Sequence, residues 1–76
     1  MAKKLTKFGD RFEYLMERHG LSKMQLERKA GLYNGQAGIF ISGKTEPGLK
    51  TLQKLIKTFK GVNVGWLLTG EGKPGV

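Results

Sequence analysis

The side chains that could do chemistry are few in kind. There is one histidine, His19, and no cysteine among 76 residues. A single imidazole cannot assemble a zinc site or a histidine-based dyad, and without thiols there is neither a disulfide framework nor a thiolate metal site. The 6 Asp and Glu residues include no pair with a plausible pocket, so acid–base catalysis is not indicated. What the chain carries in number is cationic nitrogen: 14 Lys and Arg, for a net charge of +8. Charge of that size is a statement about partners, and the leading polyanion is nucleic acid. The expectation is a binding protein and not an enzyme, with no metal, no cofactor and no small-molecule substrate.

The charge is unevenly spread. Lys3, Lys4 and Lys7 crowd the start, and Lys50, Lys54, Lys57 and Lys60 mark a later segment, whereas residues 32–43 contain no charged side chain. An apolar fraction of 38% is too high for a disordered basic tail. No apolar run approaches the ~20 residues of a membrane span. Lys3-Lys4 is not followed by an apolar stretch and cleavage site, so no secretory signal is read and a cytoplasmic location is expected. The length allows one small domain, and a chain of this size buries only about 60% of its unfolded surface, so one modest core must suffice.

The elements that must position any site are helical. Phe8, Phe12, Leu15, Met16 and His19 recur at spacings of three and four, with Thr6 as a candidate cap and Gly20 as the stop. His19 ends this helix where the dipole favours it, which is a structural place and not a catalytic one. Ser22 caps a second helix over Lys23–Ala30, with Leu26 and Ala30 inward and Gly31 ending it. A third helix is expected from about Asn34 to Ser42, with Leu32, Ala37 and Phe40 on one side. Gly35 and Gly38 each cost such a helix about 1 kcal/mol, so packing must hold it. Pro47 marks a loop. Leu49, Leu52, Leu55, Ile56 and Phe59 then make an amphipathic helix with Lys50, Lys54 and Lys57 opposite. Asn63 caps a last helix over Val64–Thr69. The fold expected is all-α with five short helices. Residues 1–5 form a basic arm, 6–69 the domain and 70–76 a flexible tail.

Two short helices joined by a glycine turn describe a helix-turn-helix, at about residues 22–42 here. Residues 21–43 read LSKMQLERKAGLYNGQAGIFISG, with Leu26 in the first helix, Gly31 at the turn, Leu32 after it, and Ala37 and Phe40 in the second helix. This segment resembles the lambda-repressor/Cro-like helix-turn-helix family. Gly43-Lys44, Pro47 and Leu49 to Phe59 resemble that family's loop and fourth helix, and NVGWLLTGEG, residues 63–72, resembles the ending of phage-repressor-type DNA-binding domains. The resemblance covers about residues 8–72.

The resemblance implies a sequence-specific double-stranded DNA-binding regulator, a phage-related repressor, bound as a homodimer to an operator. Its recognition helix, about residues 34–42, would lie in the major groove. Base contacts would come from Asn34, Gly35, Gln36, Gly38 and Ile39. Asn34 suits the adenine edge and Ile39 a thymine methyl; equally, Asn34 serves as a helix cap and Ile39 as a second-layer core residue. Backbone contacts would come from Lys23, Tyr33, Ser42, Lys44, Thr45 and Arg11, and the Lys50, Lys54 and Lys57 stripe is either a further contact or a solvated face. Trp66 closes the bundle as a core cap, and Trp66, Leu67 and Leu68 together are candidates for a dimer contact.

Three positions depart from the family pattern. Glu27 stands where a small residue is usual and must reach solvent or find a partner. Ile41 stands where a Glu often pairs with the residue aligned to Arg11, leaving Arg11 exposed, on phosphate or paired elsewhere. Tyr33 replaces the usual Ser or Thr cap of the recognition helix, leaving Asn34 or a phosphate to cap it. A second reading, from another class, is an antitoxin-type or other protein-interaction module on the same fold. It would use an exposed apolar face near Trp66 or Ile41. A membrane-surface helix is disfavoured, because Trp66 and the lysine stripe fall on different helices.

Overall fold

A computed structural model describes residues 7–75 of the chain. They form five α-helices: α1 (Phe8–Arg18), α2 (Lys23–Ala30), α3 (Gln36–Ser42), α4 (Leu49–Thr58) and α5 (Val64–Thr69). Among the described residues the extended structure is an isolated antiparallel bridge between Val62 and Gly75. No helix among them is long and apolar enough to cross a membrane.

Local chemistry sets most helix ends. Thr6 lies outside the described residues, and α1 is led in by Lys7, which offers no side-chain cap. At its other end Leu21 N–H donates to Met16 O at 2.9 Å and Gly20 N–H to Glu17 O at 3.1 Å, a Schellman closure that turns Leu21 back onto the core. For α2, Ser22 and Gln25 cap each other: Gln25 N–H donates to Ser22 Oγ at 3.2 Å, and Ser22 N–H to Gln25 Oε1 at 2.9 Å. The α5 cap is Asn63, whose Oδ1 accepts from Trp66 N–H at 3.3 Å.

Helices of six to eleven residues are not stable alone in water, so the core must hold them. Phe12 is its centre. Phe8 stacks on it at 6.1 Å, while Phe40 and Phe59 meet it edge to face at 6.0 and 5.9 Å. Leu15, Leu26, Ala37, Leu55 and Leu67 are fully buried around this cluster. Each buried Leu or Phe contributes roughly 1.5–3 kcal/mol. Trp66 is buried as expected of a core cap, with Tyr14 edge to face at 5.7 Å. Leu49 departs from its expected stripe: it opens α4 at 71% exposure, because the core begins one turn later.

Two contacts tie distant parts of the chain to α1. Arg11 is buried, and its Nε donates to Leu67 O at 2.8 Å and its Nη2 to Leu68 O at 3.3 Å. These carbonyls lie at the C-terminal end of α5, where orphan acceptors and the dipole favour a cation. Gly9 is buried against α3: a Cβ there would come within 2.6 Å of Ile41 O and 2.7 Å of Phe40 O. The segment after α5 also has a fixed place, since Asn63 N–H donates to Pro74 O at 2.8 Å. Residues 70–75, expected as flexible, thus fold back beside the entry to α5.

Two glycine substitutions should move stability in opposite directions. Gly9→Ala forces backbone apart and should cost about 2 kcal/mol or more. Gly38→Ala, inside α3 with nothing within 4 Å of the new methyl, should stabilise by about 0.5–1 kcal/mol. Urea midpoints of the two variants against the parent chain check both signs.

Candidate nucleic-acid interface

The α2–turn–α3 segment carries most of the residues singled out above. Its connection runs through residues 31–35, and α3 begins at Gln36, two residues later than the expected start at Asn34. Gln36 N–H donates to Tyr33 O at 3.0 Å, closing a turn over Asn34 and Gly35. Gly35, the residue before α3, sits at φ +90, a conformation that other residues rarely adopt, and gives no side-chain cap. Gln36 pins the same turn from its side chain, its Oε1 accepting from Tyr33 N–H at 3.0 Å.

The cap for α3 comes from another helix. Glu27 of α2 is buried, and its Oε2 accepts from Ala37 N–H at 2.9 Å. A carboxylate so placed satisfies one of the orphan amides of the first turn and lies at the positive end of the dipole. This answers the departure at Glu27: the side chain does not reach out to solvent but turns beneath α3. It also corrects the expected capping, since neither Asn34 nor a phosphate fills the place that Glu27 occupies.

The rest of the segment faces outward. Asn34 is exposed, and among the described residues no partner hydrogen-bonds its amide. Tyr33 is 82% exposed and Ile39 43%, so Ile39 is not a second-layer core residue. Gly38 is half-buried with open space above its Cα. Ser42 closes α3, donating from Oγ to Ile39 O at 2.7 Å and accepting from Lys44 N–H at 3.4 Å. Lys23, Lys44 and Thr45 are exposed. Between the start of α1 and the loop after α3 lies a hollow of about 430 Å³, lined among others by Lys7, Lys44, Thr45 and Glu46. A second, of about 250 Å³, gathers Lys29, Lys54 and Lys57 between α2 and α4. The arm residues Lys3 and Lys4 lie outside the described residues.

Several expected sites are placed elsewhere. Arg11, expected on phosphate, is committed to the carbonyls of Leu67 and Leu68 and is buried; the third alternative, a partner elsewhere in the chain, is the one observed. Trp66 and Leu67, expected with Leu68 as a dimer contact, are interior residues, and only Leu68 of the three is open, at 48% exposure. Ile41 is half-buried against the core. Of the apolar surface that would favour a protein-interaction module, Trp66 and Ile41 themselves offer little, while Val64 and Leu68 beside Trp66 are open, at 37% and 48%. Neither the contact at Gly9 nor the capping role of Glu27 follows from the spacing of residues along the chain. The signal for Glu27 was present as an acid at a position facing another helix, beside a helix without a cap.

No protein-family model, curated protein or solved structure matches the chain.

Removing the cap should be felt locally. Glu27→Ala leaves the Ala37 amide buried without a partner and should cost about 1–3 kcal/mol. Glu27→Gln keeps an acceptor and should lose less. Hydrogen exchange at the Ala37 amide should quicken in the first variant far more than in the second, and equal exchange in both would remove Glu27 from the capping role.

Proposed function

We propose that the chain is a sequence-specific double-stranded DNA-binding module of a transcriptional regulator, phage-repressor-like, that lays α3 in the major groove. One observation carries this reading. The exposed residues of α3 and its leading turn carry no charge of their own, while exposed lysines flank the α2–turn–α3 segment along the chain, Lys23 at the start of α2 and Lys44 just beyond α3. Such a division suits duplex DNA, in which phosphates fix position and base edges carry sequence. A helix about 10–12 Å across fits a major groove about 12 Å wide. The resemblance of residues 21–43 and 63–72 to phage-repressor-type domains points the same way.

In this reading Asn34, Gly35, Gly38 and Ile39 face the bases. Lys23, Lys44 and Thr45 grip backbone, with Tyr33 and Ser42 beside them. Because Glu27 holds the Ala37 amide, the phosphates are met by side chains and not by the start of α3. One copy covers one half-site. Two copies on a two-fold symmetric operator would place their recognition helices about 34 Å apart, and of Trp66, Leu67 and Leu68 it is Leu68 that is open for a contact between them.

Fluorescence anisotropy with duplexes recovered by random-oligonucleotide selection tests the reading. If ~6 phosphates are neutralised, log K should fall with log salt at a slope of about −5. Lys44→Ala should weaken all sequences alike and reduce the slope by about 1. A flat salt response, or selection that recovers no common half-site, would overturn the proposal.

A further inference from the structure

We infer that the half-site is built from A·T pairs at the positions read by α3 and its leading turn, recognised through a thymine methyl at Ile39 and an adenine edge at Asn34, with no bidentate Arg or Lys contact to guanine. The inference rests on the DNA-binding reading above and names what that surface would select.

In the major groove guanine shows two acceptors, adenine an acceptor beside a donor, and thymine an acceptor beside a methyl group. The commonest guanine contact is a bidentate Arg or Lys, and residues 32–43 contain neither. Two amide side chains remain. Adenine takes an amide bidentately, through carbonyl and NH₂ together. The Gln36 carbonyl is already spent on Tyr33 N–H at 3.0 Å, so Gln36 has only half of what adenine requires. Asn34 is exposed with both ends of its amide open among the described residues. Ser42 has likewise given its hydroxyl hydrogen to Ile39 O at 2.7 Å.

The remaining reader is apolar. Ile39 is 43% exposed in the middle of α3, and its neighbours Gly35 and Gly38 have nothing within 4 Å where a side chain would stand. The branched side chain is therefore the most prominent group on this part of the helix, and flanking backbone can approach the groove closely. The only apolar group on a major-groove base edge is the thymine methyl. An exposed isoleucine among glycines discriminates thymine by contact and offers nothing to guanine.

The test uses the full chain and duplexes carrying the selected half-site. Replacing one thymine at a time by deoxyuridine removes only the methyl group. At one position or more, this should weaken the parent chain about fourfold and leave Ile39→Ala unchanged. Replacing adenine by 7-deazaadenine removes the N7 acceptor and should weaken the parent chain but not Asn34→Ala. Both side chains are exposed, and unchanged urea midpoints would show that the variants remain folded. Deoxyuridine without effect at every position overturns the inference, as does a guanine whose 7-deaza analogue weakens binding more than any A·T change. If the parent chain binds duplex DNA with the expected salt slope, either result leaves the proposed function standing. If it binds no duplex, that reading and this one fall together.

Discussion

The hydrogen bond from the Ala37 amide to the Glu27 carboxylate is the contact on which the presentation of α3 depends. This helix has seven residues, an internal glycine and no cap from its own lead-in. Nothing in its local sequence would keep it helical in water. Glu27 holds its start from beneath, Ala37 and Phe40 anchor its inner face in the core, and the bare backbone of Gly9 meets its last turn. A buried carboxylate carries a desolvation cost, and here the positive end of α3 offsets it. Bond and helix are mutually dependent: without α3 the acid would be buried alone, and without the acid the buried Ala37 amide in the first turn would lack its partner.

Much of the fold was legible because its signals are local. Ser22 and Asn63 announce α2 and α5 by capping chemistry that needs only three residues, and both helices have the expected bounds. The start of α3 was misplaced by two residues because Asn34-Gly35 can either begin a helix or make a turn, and the mutual hydrogen bonds of Tyr33 and Gln36 favour the turn. The periodic stripe of α4 extended to Leu49, although where the core ends is set by neighbours and not by spacing. The position of Arg11 is not written in any local pattern. Its acceptors lie 56 and 57 positions away, on carbonyls that every residue possesses, so no side-chain pattern marks them. The exposed members of the candidate interface followed from the residues, whereas Glu27 showed only as an unexplained acid.

The division between neutral and cationic surface has a physical logic of its own. Charge acts over distances near the Debye length, about 8 Å at physiological salt, and does not depend on fine geometry. Lysines on flexible stems therefore suit attraction and loose registration, which tolerate small errors of position. Contact selectivity acts over ångströms and needs a rigid support. The helix that carries Ile39 is locked on three sides by core, carboxylate and backbone, while the exposed Lys23 and Lys44 sit at the start of α2 and on the loop after α3. The arrangement keeps the long-range and short-range parts of recognition on separate residues.

The approach of Gly9 to α3 has a consequence beyond stability. Contact between main chains is blind to the identity of side chains, so the lean of α3 against α1 is set by atoms that no substitution in the core or on the outer face removes. Ile39 and Asn34 lie outside that contact. Descendants of such a chain can exchange these residues one at a time and inherit the same scaffold pose, so that new preferences arise without a fresh folding problem. Constraint at one glycine thus makes divergence easy elsewhere: the position least free to vary is what lets its distant neighbours vary.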